Sequence, residues 1–107
     1  MDMVEQFEIY WVDLNPTRGS EIKKRCPCAI ISPKEMNDNL NTVIVAPLTS
    51  TIKNYPTRVD VTIDKKKGQI ALDQIRSVDK LRLNNKITNL NKITISHIKV
   101  VLMDMFK

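Results

Sequence analysis

Between two apolar runs the chain carries Thr17, Arg18, Gly19, Ser20, Glu21, Ile22, Lys23, Lys24 and Arg25, followed by Cys26, Pro27 and Cys28. Within that stretch, four cationic side chains, one carboxylate and two hydroxyls form a set that can hold a phosphate and move a proton beside it. A turn would need only Pro16 and Gly19, so the segment reads as a functional loop on a rigid scaffold. Elsewhere the usual marks of an enzyme are missing. The 107 residues include two glycines and one histidine, with no phosphate-cradling glycine loop, metal-ligand cluster or nucleophile elbow. Any catalysis must then come from arginine, carboxylate, hydroxyl and backbone groups, and neither a metal nor a cofactor is expected.

The elements that must position this loop follow from periodicity. Phe7–Leu14, rich in aromatic and β-branched residues, reads as a strand, with Tyr10 and Trp11 on opposite faces, so at least one of them is core. Ala29–Ser32 reads as the second strand, ended by Pro33, and Pro33–Leu40 as a turn or one helical turn. Thr42–Leu48 reads as a buried strand. Thr57–Ile63 alternates apolar with polar residues like a half-buried antiparallel strand. Asp64–Gly68 has hairpin composition, its three lysines reading as a solvated turn; Gln69–Asp73 returns, and Gln74–Asp79 continues the alternation. A short strand follows around Asn85–Thr88. From Asn91 the period changes: Ile95, Ile98, Val101, Leu102, Met105 and Phe106 recur at helical spacing, Asn91 can cap the start, and His97 falls on the polar side. Five or more short antiparallel strands and a final helix make a mainly β (α+β) chain, a small barrel whose opening the helix covers.

A formal charge of +5 and a pI near 9.4 favour an anionic partner such as nucleic acid or an acidic protein. Cys26 and Cys28 are the only cysteines; at i and i+2 of an extended chain they share a face but are poorly placed to bond to each other, which points to a reducing, cytoplasmic setting. No apolar run approaches the roughly 20 residues of a membrane span, and no signal-peptide pattern opens the chain.

Three motifs, Ile9–Glu21, Val43–Ser50 and Ala71–Asp79, resemble the MazF/PemK toxins of bacterial toxin–antitoxin systems in order and spacing. The resemblance implies that residues 1–107 form one toxin domain with an SH3-like, CcdB-like barrel and a C-terminal helix, assembled as a homodimer. It also implies a metal-independent, sequence-specific endoribonuclease acting on single-stranded RNA. In such a reaction the ribose 2′-hydroxyl attacks the adjacent phosphorus, leaving 2′,3′-cyclic phosphate and 5′-hydroxyl ends, so the protein supplies a base, charge stabilisation and a proton donor but no nucleophile. Carried over by position, Glu21 is the loop glutamate and Thr49 the catalytic threonine. Asp73, Gln74 and Arg76 form the Asp-Gln-x-Arg segment, in which Asp73 and Arg76 serve either catalysis directly or a strand-end salt bridge or dimer contact. Ser20, Lys23, Lys24, Arg25, Lys53, Arg58, Gln74 and Arg76 are candidate RNA contacts, with Tyr55 or Trp11 as stacking surfaces for splayed bases. The expected protein partner is a cognate antitoxin, acidic and partly disordered, which would bring operator DNA to the complex.

One position departs from the pattern. The family's catalytic arginine precedes the loop-ending proline, where this chain has Cys26, while Arg25 stands one place earlier. On a regular strand that shift sends the side chain to the other face, and a thiol cannot supply a guanidinium's forked donors. Three explanations stay open: Arg25 compensates, the toxin is degenerate, or Cys26 was selected or engineered to make a nuclease tolerable. Two rival functions also remain, a catalytically inactive module that binds antitoxin and operator DNA, and a CcdB-like gyrase poison. The latter relies on a Trp-Gly-Ile ending, whereas this chain ends Asp104-Met105-Phe106-Lys107.

Overall fold

The computed structural model describes residues 3–15, 18–20 and 25–107. Its strands are β1 (Glu8–Asp13), β2 (Arg25–Ile30), β3 (Thr42–Thr49), β4 (Arg58–Ile63), β5 (Lys66–Ala71), β6 (Arg76–Asp79) and β7 (Leu83–Asn89). Helix α1 (Lys34–Asn39) follows β2, and α2 (Lys92–Met105) closes the chain. The strands make a curled antiparallel half-barrel in the order β4-β5-β3-β2-β1-β7, with β6 also on β3. The curl has a visible cause in β3: its Thr42–Val45 half pairs with β6, and its Leu48–Thr49 end pairs with β5.

Side chains alternate between two apolar clusters because successive strand residues point to opposite faces. On β1, Ile9 enters one cluster with Ala29, Ala46, Val59 and Ile70, while Tyr10 and Val12 enter another with Cys28, Ile30, Val43 and Val45. The first cluster lies under α2, whose Ile98 is fully buried. A side chain buried this completely contributes about 1.5–3 kcal/mol. The helix starts at its expected cap, the Asn91 side chain accepting from Thr94 N–H at 2.8 Å. Phe106, expected on the buried stripe, is 70% exposed: the helix ends at Met105 and the chain leaves helical geometry at Phe106.

Other boundaries differ from the sequence reading for local reasons. Strand β2 begins at Arg25, four residues before Ala29, because β1 pairs with it down to Asp13–Arg25. The turn after β4 contains only Asp64 and Lys65, both with positive φ, so Lys66 and Lys67 belong to β5. That is the backbone demanded by a two-residue hairpin matching the strand twist, and Ile63 faces Lys66 across it. The alternation expected from Gln69 to Asp79 is broken by one 3-10 turn, Leu72–Gln74. There the N–H of buried Leu72 donates to Thr57 O at 3.1 Å.

Buried polar groups on β1 are paired across the sheet. Glu8 accepts from Lys86 Nζ and Glu5 N–H, both at 2.7 Å, and from the Tyr10 hydroxyl at 3.2 Å. Burial alone would raise the Glu8 carboxyl, but these donors outweigh it and hold the pKa below the usual value. Burial and the Glu8 charge push Tyr10 up to about 12. Among the described residues no helix is long and apolar enough to cross a membrane.

Candidate functional site

The β1–β2 register decides which side chains share a face. Trp11 pairs with Pro27 and Asp13 with Arg25, whereas Tyr10 pairs with Cys28 and Val12 with Cys26. Residues directly opposite point the same way. Arg25 therefore lies on the face of Trp11 and Pro27, and Cys26 lies on the other. The Arg25 guanidinium sits 5.7 Å from the Trp11 ring centroid, within cation–π range. Trp11 remains 38% exposed, while its neighbour Tyr10 is buried. Strand β2 is regular here, so Arg25 does not take up the direction of residue 26.

Trp11 and Pro27 form one wall of an open groove of about 470 Å³. Thr49 and Ser50 from the end of β3, and Lys66 and Lys67 from β5, line the rest of its polar surface together with Asp64. Thr49 Oγ1 accepts from Thr51 N–H at 3.1 Å, which leaves the hydroxyl proton for an incoming acceptor such as a phosphate oxygen. Lys66 and Lys67, read from the sequence as part of a solvated turn, are groove residues because the turn is shorter than its composition suggests. No local signal marked this turn, because a lysine at positive φ is uncommon and the composition pointed to Gly68 as the turn glycine.

Gly68 brings the two sides of the groove together. A Cβ placed on it would lie 2.8 Å from the Thr49 carbonyl oxygen, closer than real contacts allow. Replacing Gly68 by valine is expected to push the Thr49 backbone away and to cost about 1–3 kcal/mol. Urea unfolding checks the stability loss; a Gly68→Val chain as stable as the parent contradicts the close packing.

The other sequence candidates fall into separate groups. Asp73 Oδ1 accepts from Arg58 Nε at 2.8 Å and Thr57 Oγ1 at 3.1 Å, and Oδ2 from Arg58 Nη2 at 3.3 Å. The Arg58 side chain is 8% exposed and also stacks on Tyr55, 5.1 Å from the ring centroid. Burial would raise the Asp73 carboxyl, but Arg58 and Thr57 outweigh it and hold it below the ordinary carboxylate range. The geometry thus gives Asp73 and Arg58 to each other. Lys53 is tied by its backbone: its N–H donates to Gln69 Oε1 and its carbonyl accepts from Gln69 Nε2, both at 3.0 Å.

Arg76 Nη1 donates to Leu14 O at 3.3 Å, and Arg82, which no sequence pattern singles out, donates to the carbonyls of Asp13 and Asn15. Two arginines from the far side of the chain thereby fasten the stem of the polar loop. Ser20 lies in an exposed turn beside Gly19, whose φ of +58° favours glycine. Gln74 follows Asp73 in the 3-10 turn. Glu21, Lys23 and Lys24 lie outside the described residues.

Cys26 and Cys28 are free and buried, at 8% and 0% exposure, with Sγ atoms 3.8 Å apart. Hydrogen bonding from Cys28 pulls the Cys26 thiol down against the effect of burial, while Cys28 is pushed up by the same partner and by its own deeper burial. Among the described residues, no group of three or more His, Cys, Asp or Glu side chains could hold a metal ion.

Comparison with known proteins places this geometry. Residues 5–106 match the model of the PemK-like, MazF-like toxins of type II toxin–antitoxin systems. The fold is similar to the crystal structure of MazF from Deinococcus radiodurans, with a TM-score of 0.84 at 22% identity over 96% of each chain. It is also similar to the Mycobacterium tuberculosis toxin MazF-mt6, with a TM-score of 0.78 at 19% identity over 92% of this chain and 95% of that one. A third similar structure is an endoribonuclease in complex with its cognate antitoxin from a mycobacterial species. Its TM-score is 0.80 at 22% identity over 94% of this chain and 92% of that one.

Proposed function

The chain belongs to the PemK-like, MazF-like toxin family of type II toxin–antitoxin systems, and from that premise we propose that it cleaves single-stranded RNA in the Trp11–Thr49 groove. The observation that carries this reading is the placement of Arg25. Its guanidinium stands over Trp11, on the face that forms one groove wall, and Thr49 lines the same groove.

In the proposed reaction a base of the RNA stacks on the exposed part of Trp11. The Thr49 hydroxyl and the Arg25 guanidinium donate to the phosphate oxygens as charge builds during attack by the 2′-hydroxyl. Lys66 and Lys67 hold the neighbouring phosphates. Because the attacking group belongs to the substrate, the protein needs only to bind, orient and exchange protons, with Glu21 as the loop carboxylate available for that exchange. Cys26, turned into the core, takes no direct part. Arg76 and Arg82 support the site by holding the loop stem.

The biological setting follows from the family. The proposed partner is an acidic antitoxin segment that competes with RNA for the cationic groove, as a homodimer of this chain would present it twice. Operator DNA would be reached through the antitoxin.

Two measurements test the groove. Replacing the ribose at the cleaved position by 2′-deoxyribose is expected to abolish cleavage, while EDTA leaves it unchanged; cleavage of the deoxy substrate contradicts internal attack. RNA affinity is expected to fall with salt at a log–log slope of about −2 if Arg25, Lys66 and Lys67 each neutralise one phosphate of a single strand. A flat salt response contradicts the electrostatic groove.

A further inference from the structure

We propose that Cys26 and Cys28 form an oxidisable dithiol, in which a hydroperoxide attacks Cys26 and Cys28 then closes a disulfide within β2. Both thiols are free, their sulfurs are 3.8 Å apart on one face, and Cys26 retains a little exposure while Cys28 has none. Cys26 is the less deeply buried of the two, so a small hydroperoxide meets it first, and a thiol already within 3.8 Å captures the sulfenic acid before further oxidation.

The chemistry balances with the peroxide as the only co-reactant. The Cys26 thiolate attacks the O–O bond, forming Cys26–S–OH and releasing hydroxide, which leaves as water after taking a proton. The Cys28 sulfur then attacks the Cys26 sulfur. The S–S bond forms, the S–O bond breaks, and the departing hydroxide takes the Cys28 proton as a second water. The two thiols lose two electrons and the peroxide gains them.

Backbone spacing sets the consequence. The i, i+2 spacing of an extended chain opposes this bond, since such Cα atoms lie roughly 6.5 Å apart, near the long end of the roughly 4.4–6.8 Å that disulfides span; the 3.8 Å between the two sulfurs is what brings closure within reach. Closure therefore draws β2 together at the intervening Pro27. That residue forms part of the groove wall, and Arg25, next to Cys26, holds the Trp11 contact. Oxidation thereby disturbs the groove and lowers RNA binding, a consequence that rests on the function proposed above.

The test uses the full chain under native conditions. It is treated with hydrogen peroxide, alkylated with N-ethylmaleimide and weighed intact. The expected result is the loss of two hydrogens and of both alkylation adducts in a monomeric chain, reversed by dithiothreitol. Cys28→Ser should instead yield a dimedone-trapped sulfenic acid at Cys26, and Cys26→Ser should leave Cys28 reduced. Two thiols still alkylated after peroxide overturn the proposal, as does a disulfide formed only between chains. So does a Cys26→Ser chain oxidised as fast as the parent. The mass readout does not require RNA cleavage, so failure of the ribonuclease reading and failure of the dithiol are separate results.

Discussion

Replacing Arg25 by alanine is expected to lower the rate of RNA cleavage at saturating substrate by roughly 10²–10³-fold, the usual cost of losing one transition-state donor. The fold should survive, because Arg25 is exposed at the first position of β2 and its stacking on Trp11 is worth only about 0.5–1 kcal/mol. Arg25→Lys should recover only part of the rate, since an ammonium keeps the charge but not the fork that meets two phosphate oxygens. Cys26→Ser, by contrast, is expected to stay within a few-fold of the parent, because the thiol faces the cluster of Val12, Cys28 and Ile30. Single-turnover cleavage of a short RNA separates these cases from changes in binding. Normal turnover by Arg25→Ala would remove Arg25 from the chemistry.

Asp73→Asn is expected to act on stability before activity. Arg58 is almost fully buried, and the substitution leaves its guanidinium without a carboxylate. Breaking a buried pair costs about 3–5 kcal/mol, but Asp73 keeps one-third of its side-chain surface in water, so a loss of about 1–3 kcal/mol is expected. The sign of the pH dependence follows from the lowered pKa. Asp73 contributes stability that is fully present above its ordinary value of 3.8 and is lost as pH falls through the lower folded value. Urea unfolding at pH 7 should therefore separate parent from variant, and the gap should narrow below about pH 4. Cleavage well below the unfolding midpoint should persist within about tenfold, whereas loss of a general base typically costs about 10²–10⁴. A stable Asp73→Asn chain with that larger kinetic defect would return Asp73 to the catalytic centre.

Much of the fold was legible because its signals are local. The alternation of Arg58–Ile63, the helical stripe ending at Met105 and the Asn91 cap each depend on a few neighbouring residues. What was missed depends on partners distant in sequence. Strand β2 reaches back to Arg25 because β1 offers a paired edge down to Asp13, a fact invisible in the run Arg25-Cys26-Pro27-Cys28. Proline at Pro27 is tolerated where β2 pairs with β1 alone, since β3 pairs with it only from Cys28 onward. The 3-10 turn at Leu72–Gln74 likewise depends on the Thr57 carbonyl, fifteen residues earlier.

The candidate site was legible by residue type more than by direction. The contrast between Arg25 and Cys26 could be posed from the sequence, but only the register with Trp11 and Val12 tells which of them shares the face of Trp11 and which turns toward the core. Arg58 and Asp73 looked like separate candidates until β4 and the turn after β5 brought them together. Lys66 and Lys67 looked like solvated turn residues until the two-residue turn placed them on β5. Arg82 carried no local signal, because its acceptors, the carbonyls at the end of β1 and just beyond it, lie nearly seventy residues away.

The most direct measurement is cleavage of single-stranded RNA in EDTA by the unaltered chain beside its Cys26→Arg variant, with the product ends identified. Cleavage by the unaltered chain, leaving 2′,3′-cyclic phosphate and dependent on Arg25, is the predicted result. Cleavage by Cys26→Arg alone would contradict it, because the required cation would then belong at residue 26 and the chain as it stands would be an inactive toxin.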